Sequence, residues 1–332
     1  MKPEQKSLRI GAAVILLAVV LRFLGSSLST ATSQPHIDPE LASFLLYLSN
    51  GRIYTAQVEP TTPPPTTLDD TVTEPEVTQP KPEAQDFSAD DAALVSVTNH
   101  PGYDIDVAAM LETPLIWDLT QQSPTVLIIH SHTCESYENT EGYTPSASYR
   151  TMDERYNMVS IGKHLADCLR QKGICVLHDT TIHDYPSYND AYPQSRKTVQ
   201  KYLAEYPTIQ LVLDIHRDAY EDKNGNQASS TINIDGKAAS KLMLVAGTNA
   251  YNQGHPDWKE NMSMAVKLQT VLQKMYPGLC RNLTVRSSAF NQDLSPGSIL
   301  IEVGTAGDTR QNALYAAELL ADGIAELSYG SQ

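Results

Sequence analysis

From residue 94 onward, short uninterrupted apolar runs alternate with longer stretches whose apolar residues recur every three or four positions. The runs 125–130 (TVLIIH), 174–177, 209–215 (IQLVLDI), 242–246 (LMLVA) and 299–303 (ILIEV) read as buried strands, being short and apolar throughout. Between them, periodicity predicts helices over 154–172, 192–206, 258–275 and 311–327. In the first, Ile161, Leu165 and Leu169 share one face and Gly173 supplies the stop; the third is closed by Pro277-Gly278. Continuous apolar strands separated by helices predict an α/β domain over 94–332, with a mostly parallel sheet flanked by helices.

The first 93 residues break this rhythm. Lys2, Lys6 and Arg9 precede the apolar run Ile10–Leu21, the pattern of a signal peptide or signal anchor over residues 1–30. The run is 12 residues long, short of the roughly 20 that span a bilayer. Snorkelling by Arg22 lengthens the usable span, and Ser27, Ser29 and Ala31 permit cleavage. Either outcome places the rest of the chain outside the cytoplasm. Residues 31–54, with the apolar cluster Leu41–Leu48, read as a membrane-proximal segment. Residues 55–93 hold seven prolines among Thr and Glu, with nine acidic residues against one lysine. Such a stretch buries too little apolar surface to fold and is expected to be a disordered, extended linker.

Charge sharpens this division. The 332 residues include 39 acidic and 24 basic side chains, a net charge of −15, of which −8 falls in the linker. That balance excludes a nucleic-acid binder, which needs a basic face. Four cysteines exclude a disulfide scaffold, although Cys168 and Cys175 flank one expected helix end and could pair.

Reactive side chains collect where strands are expected to end. The first strand runs into His130-Ser131-His132-Thr133-Cys134-Glu135, the strand at 209–215 into His216-Arg217-Asp218, and Glu302 lies in the strand at 299–303. In parallel sheets, ligands bind beyond the carboxyl ends of the strands. His132-x-x-Glu135 with a distant His216 supplies two imidazoles and a carboxylate, the donor set of a catalytic zinc site with one position left open. Zinc (Zn2+) there would acidify a water, and Glu302, between apolar neighbours, is the candidate general acid/base. Taken singly, each residue also has an ordinary structural use, as a strand-end hydrogen bond, a turn cap or a buried ion pair. Cys134 offers a thiol nucleophile or ligand as an alternative. No G-x-S-x-G, P-loop or G-x-G-x-x-G occurs.

Several longer motifs extend the picture. The runs 127–137 (LIIHSHTCESY), 178–196 (HDTTIHDYPSYNDAYPQSR), 214–219 (DIHRDA), 246–259 (AGTNAYNQGHPDWK), 291–296 (NQDLSP) and 300–304 (LIEVG) resemble the stage II sporulation protein P family over about residues 94–330. The resemblance implies a zinc-dependent cell-wall hydrolase with a fold like the N-acetylmuramoyl-L-alanine amidases. It implies cleavage of the amide between muramic acid and L-alanine, and of peptide cross-links, in peptidoglycan. It also implies a membrane-anchored, extracytoplasmic enzyme that acts in sporulation engulfment with stage II sporulation proteins D and M. Its functional residues fall on His132, His216 and Glu302. The family more often has Ser at position 134 and Asn at 130, which argues against an essential Cys134 thiol. Related zinc amidases take a glutamate ligand from the start of the first helix, so Asp153, Glu154 and His183 compete with Glu135 as third ligand. Arg217, Arg196 and His183 are candidates to hold substrate. A non-catalytic peptidoglycan-binding scaffold and a zinc carboxypeptidase are the alternative readings.

Overall fold

The computed structural model describes residues 87–329 apart from 116, 117, 139–141, 147, 252 and 253. The expected anchor, membrane-proximal segment and linker up to residue 86 lie outside the described residues. Among the described residues no helix is long and apolar enough to cross a membrane. Residues 87–93, expected as linker, belong to the fold instead. A 3-10 turn, Ala89–Leu94, is capped by Ser88 and Asp91, Asp91 also accepts from Lys274 at 2.7 Å, and Phe87 packs on the core. A local cap and one apolar anchor fold a segment whose composition alone looks disordered.

The strands are β1 (Val97–Asn99), β2 (Val126–Ile129), β3 (Val176–His178), β4 (Leu211–Asp218), β5 (Thr231–Ile234), β6 (Lys237–Ser240), β7 (Leu242–Gly247), β8 (Leu283–Arg286) and β9 (Ser298–Thr305). The helices are α1 (Val107–Glu112), α2 (Met158–Gln171), α3 (Ala191–Glu205), α4 (Trp258–Met275) and α5 (Arg310–Tyr329). All five expected strands and four expected helices form; β1, α1, β8 and the β5–β6 hairpin were not expected. Helix α2 starts at 158 rather than 154 because the Asn157 side chain accepts from Val159 N–H at 3.0 Å and caps it there.

Seven strands make one sheet in the order β1-β8-β7-β9-β4-β2-β3. Most neighbours are parallel, but β7 runs antiparallel to β9. The reason is the connection. After β4 the chain makes the β5–β6 hairpin and enters β7 at once, with no crossover helix to carry it back. The sheet therefore has two halves of opposite direction, meeting between β7 and β9.

Its two faces are covered unequally. One face carries the main core: Ile128, Leu213, Ile215, Leu244 and Ile301 pack with apolar residues of α1, α2, α4 and α5. On α2, Ile161, Leu165 and Leu169 are fully buried, each stabilising by roughly 1.5–3 kcal/mol. The other face has a small cluster under α3, where Val199 meets Leu127, Ile129 and Val212. Farther across, Met243, Val245 and Leu300 meet only Phe290. That second face is where the cleft lies.

Two imidazoles, His130 buried and His178 half-buried, tie β3, β2 and β4 together. His130 Nδ1 is 2.9 Å from the Ile215 carbonyl and its Nε2 is 3.0 Å from His178 Nε2. His130 therefore donates from Nδ1 and accepts at Nε2 from His178, so the His130 ring must be neutral. Burial holds His130 down at about 3 and His178 at about 4. Below an unfolded value of about 6.5, the unfolded chain binds the extra protons. This contribution is complete above about pH 6.5 and is lost as pH falls toward 4 and below. Thermal melts between pH 7 and 4 are expected to show falling stability, with a shallower fall in His178→Asn. Gly162 of α2 leaves room for the pair, since a Cβ there would lie 2.3 Å from His130 Nε2 and 2.6 Å from His178 Nε2. Gly162→Ala is expected to cost about 1–3 kcal/mol in urea unfolding.

Candidate functional site

The turn after β2 presents the first two site residues. Asp214, on β4, receives Ser131 N–H at 2.8 Å and Ser131 O–H at 2.6 Å. Glu135 N–H donates to the His132 carbonyl at 3.1 Å. One tight turn thus holds His132 and Glu135 side by side, both nearly buried. On β4, Leu213 and Ile215 face the helices, so Asp214 and His216 face the other side.

His216 Nδ1 lies 3.5 Å from Glu135 Oε2. Two donors at about 2.1 Å on one tetrahedral zinc are about 3.4 Å apart, so this pair has the spacing of co-ligands. On its other side His216 Nε2 is 2.8 Å from Asp214 Oδ1, close but off the axis of a good hydrogen bond. The His132 ring stands edge-on to His216 with centroids 5.4 Å apart. His132 Nδ1, His216 Nε2 and Glu302 Oε2 are buried without a hydrogen-bond partner, a costly arrangement for groups left with nothing to bind. Among the described residues no three donors already surround a point as a finished metal cage. The donor chemistry and the co-ligand spacing of His216 Nδ1 and Glu135 nevertheless fit zinc.

Burial works against charge on His216, Glu135 and Glu302, and neighbours decide the outcome. For His216, burial favours the neutral ring, but Asp214 and Glu135 outweigh it and raise its pKa well above the usual value. Burial would raise Glu135, yet Arg217 and the two histidines hold it below the usual carboxylate range. For Glu302 the rescue is too weak: burial pushes its carboxyl up to about 8, Glu135 and Asp218 add to the push, and His216 and Arg217 oppose it only in part.

Glu302 pairs in register with His216 across β4–β9 and with Met243 across β9–β7. Paired residues share a face, so Glu302 stands in the same cleft as His216. The cleft measures about 820 Å³ and runs from His132, Glu135, His216 and Glu302 across Met243, Val245 and Leu300. It lies on a sheet face, not only beyond the strand ends, because α3 covers that face only over β2 and β4.

The remaining candidates sort by their contacts. Arg217 is spent on protein: its Nε donates to the Ser136 carbonyl at 3.1 Å and an Nη to the Tyr149 carbonyl at 3.0 Å, while Glu135 lies 3.8 Å away. It steadies Glu135. Arg196 lies outside the cleft and is paired with Asp293 at 2.8 and 2.6 Å. His183 is buried with Nδ1 on the His130 carbonyl at 2.8 Å and Nε2 on Thr198 Oγ1 at 2.9 Å, leaving no ring nitrogen for a metal. Asp153 is held by Arg155 at 2.6 Å and Glu154 is exposed, both away from the cleft. Cys134 is buried and its thiol pushed up to about 12, by burial and then by Asp184, so it is no thiolate. Cys168 and Cys175 are both free.

Sequence reasoning missed the residues behind the site. Asp184 accepts from Cys134 N–H at 3.1 Å and from Arg150 at 2.6 Å, and lies 3.7 Å from His132 Nδ1. Tyr188 stacks on His132 at 4.2 Å, and Arg150 covers the far side of that tyrosine at 4.8 Å. No spacing rule finds them, because Asp184, Arg150 and Tyr188 reach His132 from two separate loops. Asp214 stood within the 214–219 motif, but its role needed the Ser131 contact to be seen.

Comparison with known proteins follows this geometry. Stage II sporulation protein P of Bacillus subtilis (strain 168) is 27% identical over 229 residues, covering 64% of this chain and 53% of that protein. The chain thus spans about half the length of the curated relative it matches. Among solved structures, the apo form of an N-acetylmuramyl-L-alanine amidase from Mycobacterium abscessus covers 63% of this chain and 98% of its own, with TM-score 0.37 and 13% identity. An N-acetylmuramoyl-L-alanine amidase from Clostridium difficile 630 covers 62% of this chain and 94% of its own, with TM-score 0.36 and 18% identity. At those TM-scores the likeness carries no inference about chemistry. The family described as Stage II sporulation protein P (SpoIIP) matches residues 46–325, a range that begins ahead of the described residues. With most of its length so matched, the chain belongs to the stage II sporulation protein P family.

Proposed function

We propose that the chain is a peptidoglycan hydrolase: an N-acetylmuramoyl-L-alanine amidase that also cuts peptide cross-links during sporulation engulfment. The observation that carries the reading is the meeting of His132, Glu135, His216 and Glu302 in one cleft. His132, Glu135 and His216 would hold zinc, with Asp184 and Asp214 orienting the two imidazoles from behind. When bound, zinc supplies a Lewis acid that polarises the amide carbonyl and acidifies water. Glu302 takes the proton of the attacking water and returns it to the leaving amine. Its high-lying pKa suits a group that must both take and give a proton near neutral pH. Arg217 keeps Glu135 in place through the whole cycle.

The family membership supports a place on the extracytoplasmic face, tethered through the N-terminal segment, with stage II sporulation proteins D and M as partners. The test is digestion of purified peptidoglycan by the purified chain, with and without chelator. Release of intact stem peptides, identified by mass spectrometry and abolished by chelator, is the expected result. Trimming of peptide ends alone favours a carboxypeptidase. Wall binding with no fragments and no metal favours a scaffold.

A further inference from the structure

The cleft does not stop at the candidate zinc ligands. Met243 and Val245 of β7 and Leu300 of β9 form an apolar floor, and Arg286, at the end of β8, lines the far end. The registers Glu302↔Met243 and Gly247↔Arg286 place Arg286 two strands across and four residues along from Glu302. At strand spacings of about 4.8 Å and 3.3 Å per residue, that is on the order of 15 Å. A second hollow of about 620 Å³ runs back along β8 from Arg286 to Arg281, sharing Asp218, Met243 and Arg286 with the cleft and adding Lys241 and Arg281.

The side of the cleft over β7 and β8 is cationic in an acidic chain. Lys241, Arg281 and Arg286 face a single carboxylate, Asp218, which Arg281 pairs at 2.6 Å. Arg286 is exposed. Among the described residues its guanidinium has no hydrogen bond or ion pair, although Glu302, Glu135 and Asp218 line the same cleft. A planar fork of donors left unpaired at the end of an apolar track fits a carboxylate delivered by an extended ligand.

We infer that Arg286 is a specificity residue that receives a carboxylate on the distal half of a peptidoglycan stem peptide, whose methyl groups lie on the Met243–Val245–Leu300 floor. The inference rests on the peptidoglycan reading above. If the scissile amide sits at Glu302, the distance to Arg286 spans about three extended residues once the arginine's own reach of roughly 6 Å is subtracted. A stem peptide is of that length and carries free carboxylates toward its end. The substrate would then lie with its peptide over β9, β7 and β8 and its sugar toward Tyr188.

The test uses the full chain carrying Glu302→Gln, so that ligand survives, and a muramyl tetrapeptide with its distal carboxylates free or amidated. Calorimetry is expected to show about ten- to a hundred-fold tighter binding of the free acid, the worth of a charge-assisted contact. Adding Arg286→Gln should erase that preference, and Arg286→Lys should restore part of it. An unchanged preference in Arg286→Gln, equal binding of the two peptides, or no binding of either overturns the inference. Cleavage by the unmodified chain is scored separately. Arg286-dependent binding without cleavage sinks the hydrolase reading and keeps the subsite, while cleavage with no carboxylate preference does the reverse.

Discussion

Glu302→Gln should lower the rate of amide cleavage in peptidoglycan by about 10²–10⁴-fold with little change in fold or in zinc content. The substitution keeps the size of the side chain and removes its ability to take a proton. Glu302 belongs to β9, whose Ile301 and Val303 are fixed in the main core on the opposite face, so the variant has no reason to unfold. Among the described residues the buried Oε2 has no hydrogen-bond partner, and burial already keeps this carboxyl largely neutral near pH 7, so a neutral amide there adds no charge penalty. A melting temperature equal to or above that of the parent chain is therefore expected alongside the lost turnover. Full activity in Glu302→Gln would remove this residue from the mechanism and turn attention to the other acidic groups of the cleft.

The second large effect is on metal. His216→Ala is expected to take zinc from about one equivalent per chain to near none, and activity with it. Elemental analysis of the purified protein reads this directly. The same change leaves Asp214 and Glu135 facing each other's buried charge without the imidazole between them. Removing one partner of a buried ionic cluster typically costs about 3–5 kcal/mol, so denaturant unfolding should register the loss even with chelator present. His132→Ala offers the cleaner comparison, because Asp184 keeps Arg150 as its partner at 2.6 Å. Retention of a full equivalent of zinc in both variants would show that the metal, if any, is held elsewhere.

The sequence by itself determined the alternation of buried strands and amphipathic helices, because apolar periodicity is a local property that burial reads out directly. It also marked His132, Glu135, His216 and Glu302, since strand ends and the H-x-x-E spacing can be counted along the chain. It misjudged residues 87–93, where one cap and one phenylalanine overrode an acidic, disordered-looking composition. Two kinds of fact were decided only by tertiary structure. Strand direction is not encoded in apolar content, so the antiparallel entry of β7 followed from the missing crossover helix. That reversal brings β7 and β8, with Met243, Val245 and Arg286, alongside β9 and extends the cleft across the sheet face. The fate of each charged side chain was decided the same way. Arg217 and Arg196 both belong to motifs, yet one is spent on Glu135 and backbone carbonyls and the other on Asp293. Arg286, in no motif, has no partner for its guanidinium among the described residues and lies at the cleft's end. Which partner a long side chain meets depends on contacts dozens of residues apart, and only the folded chain brings those into range.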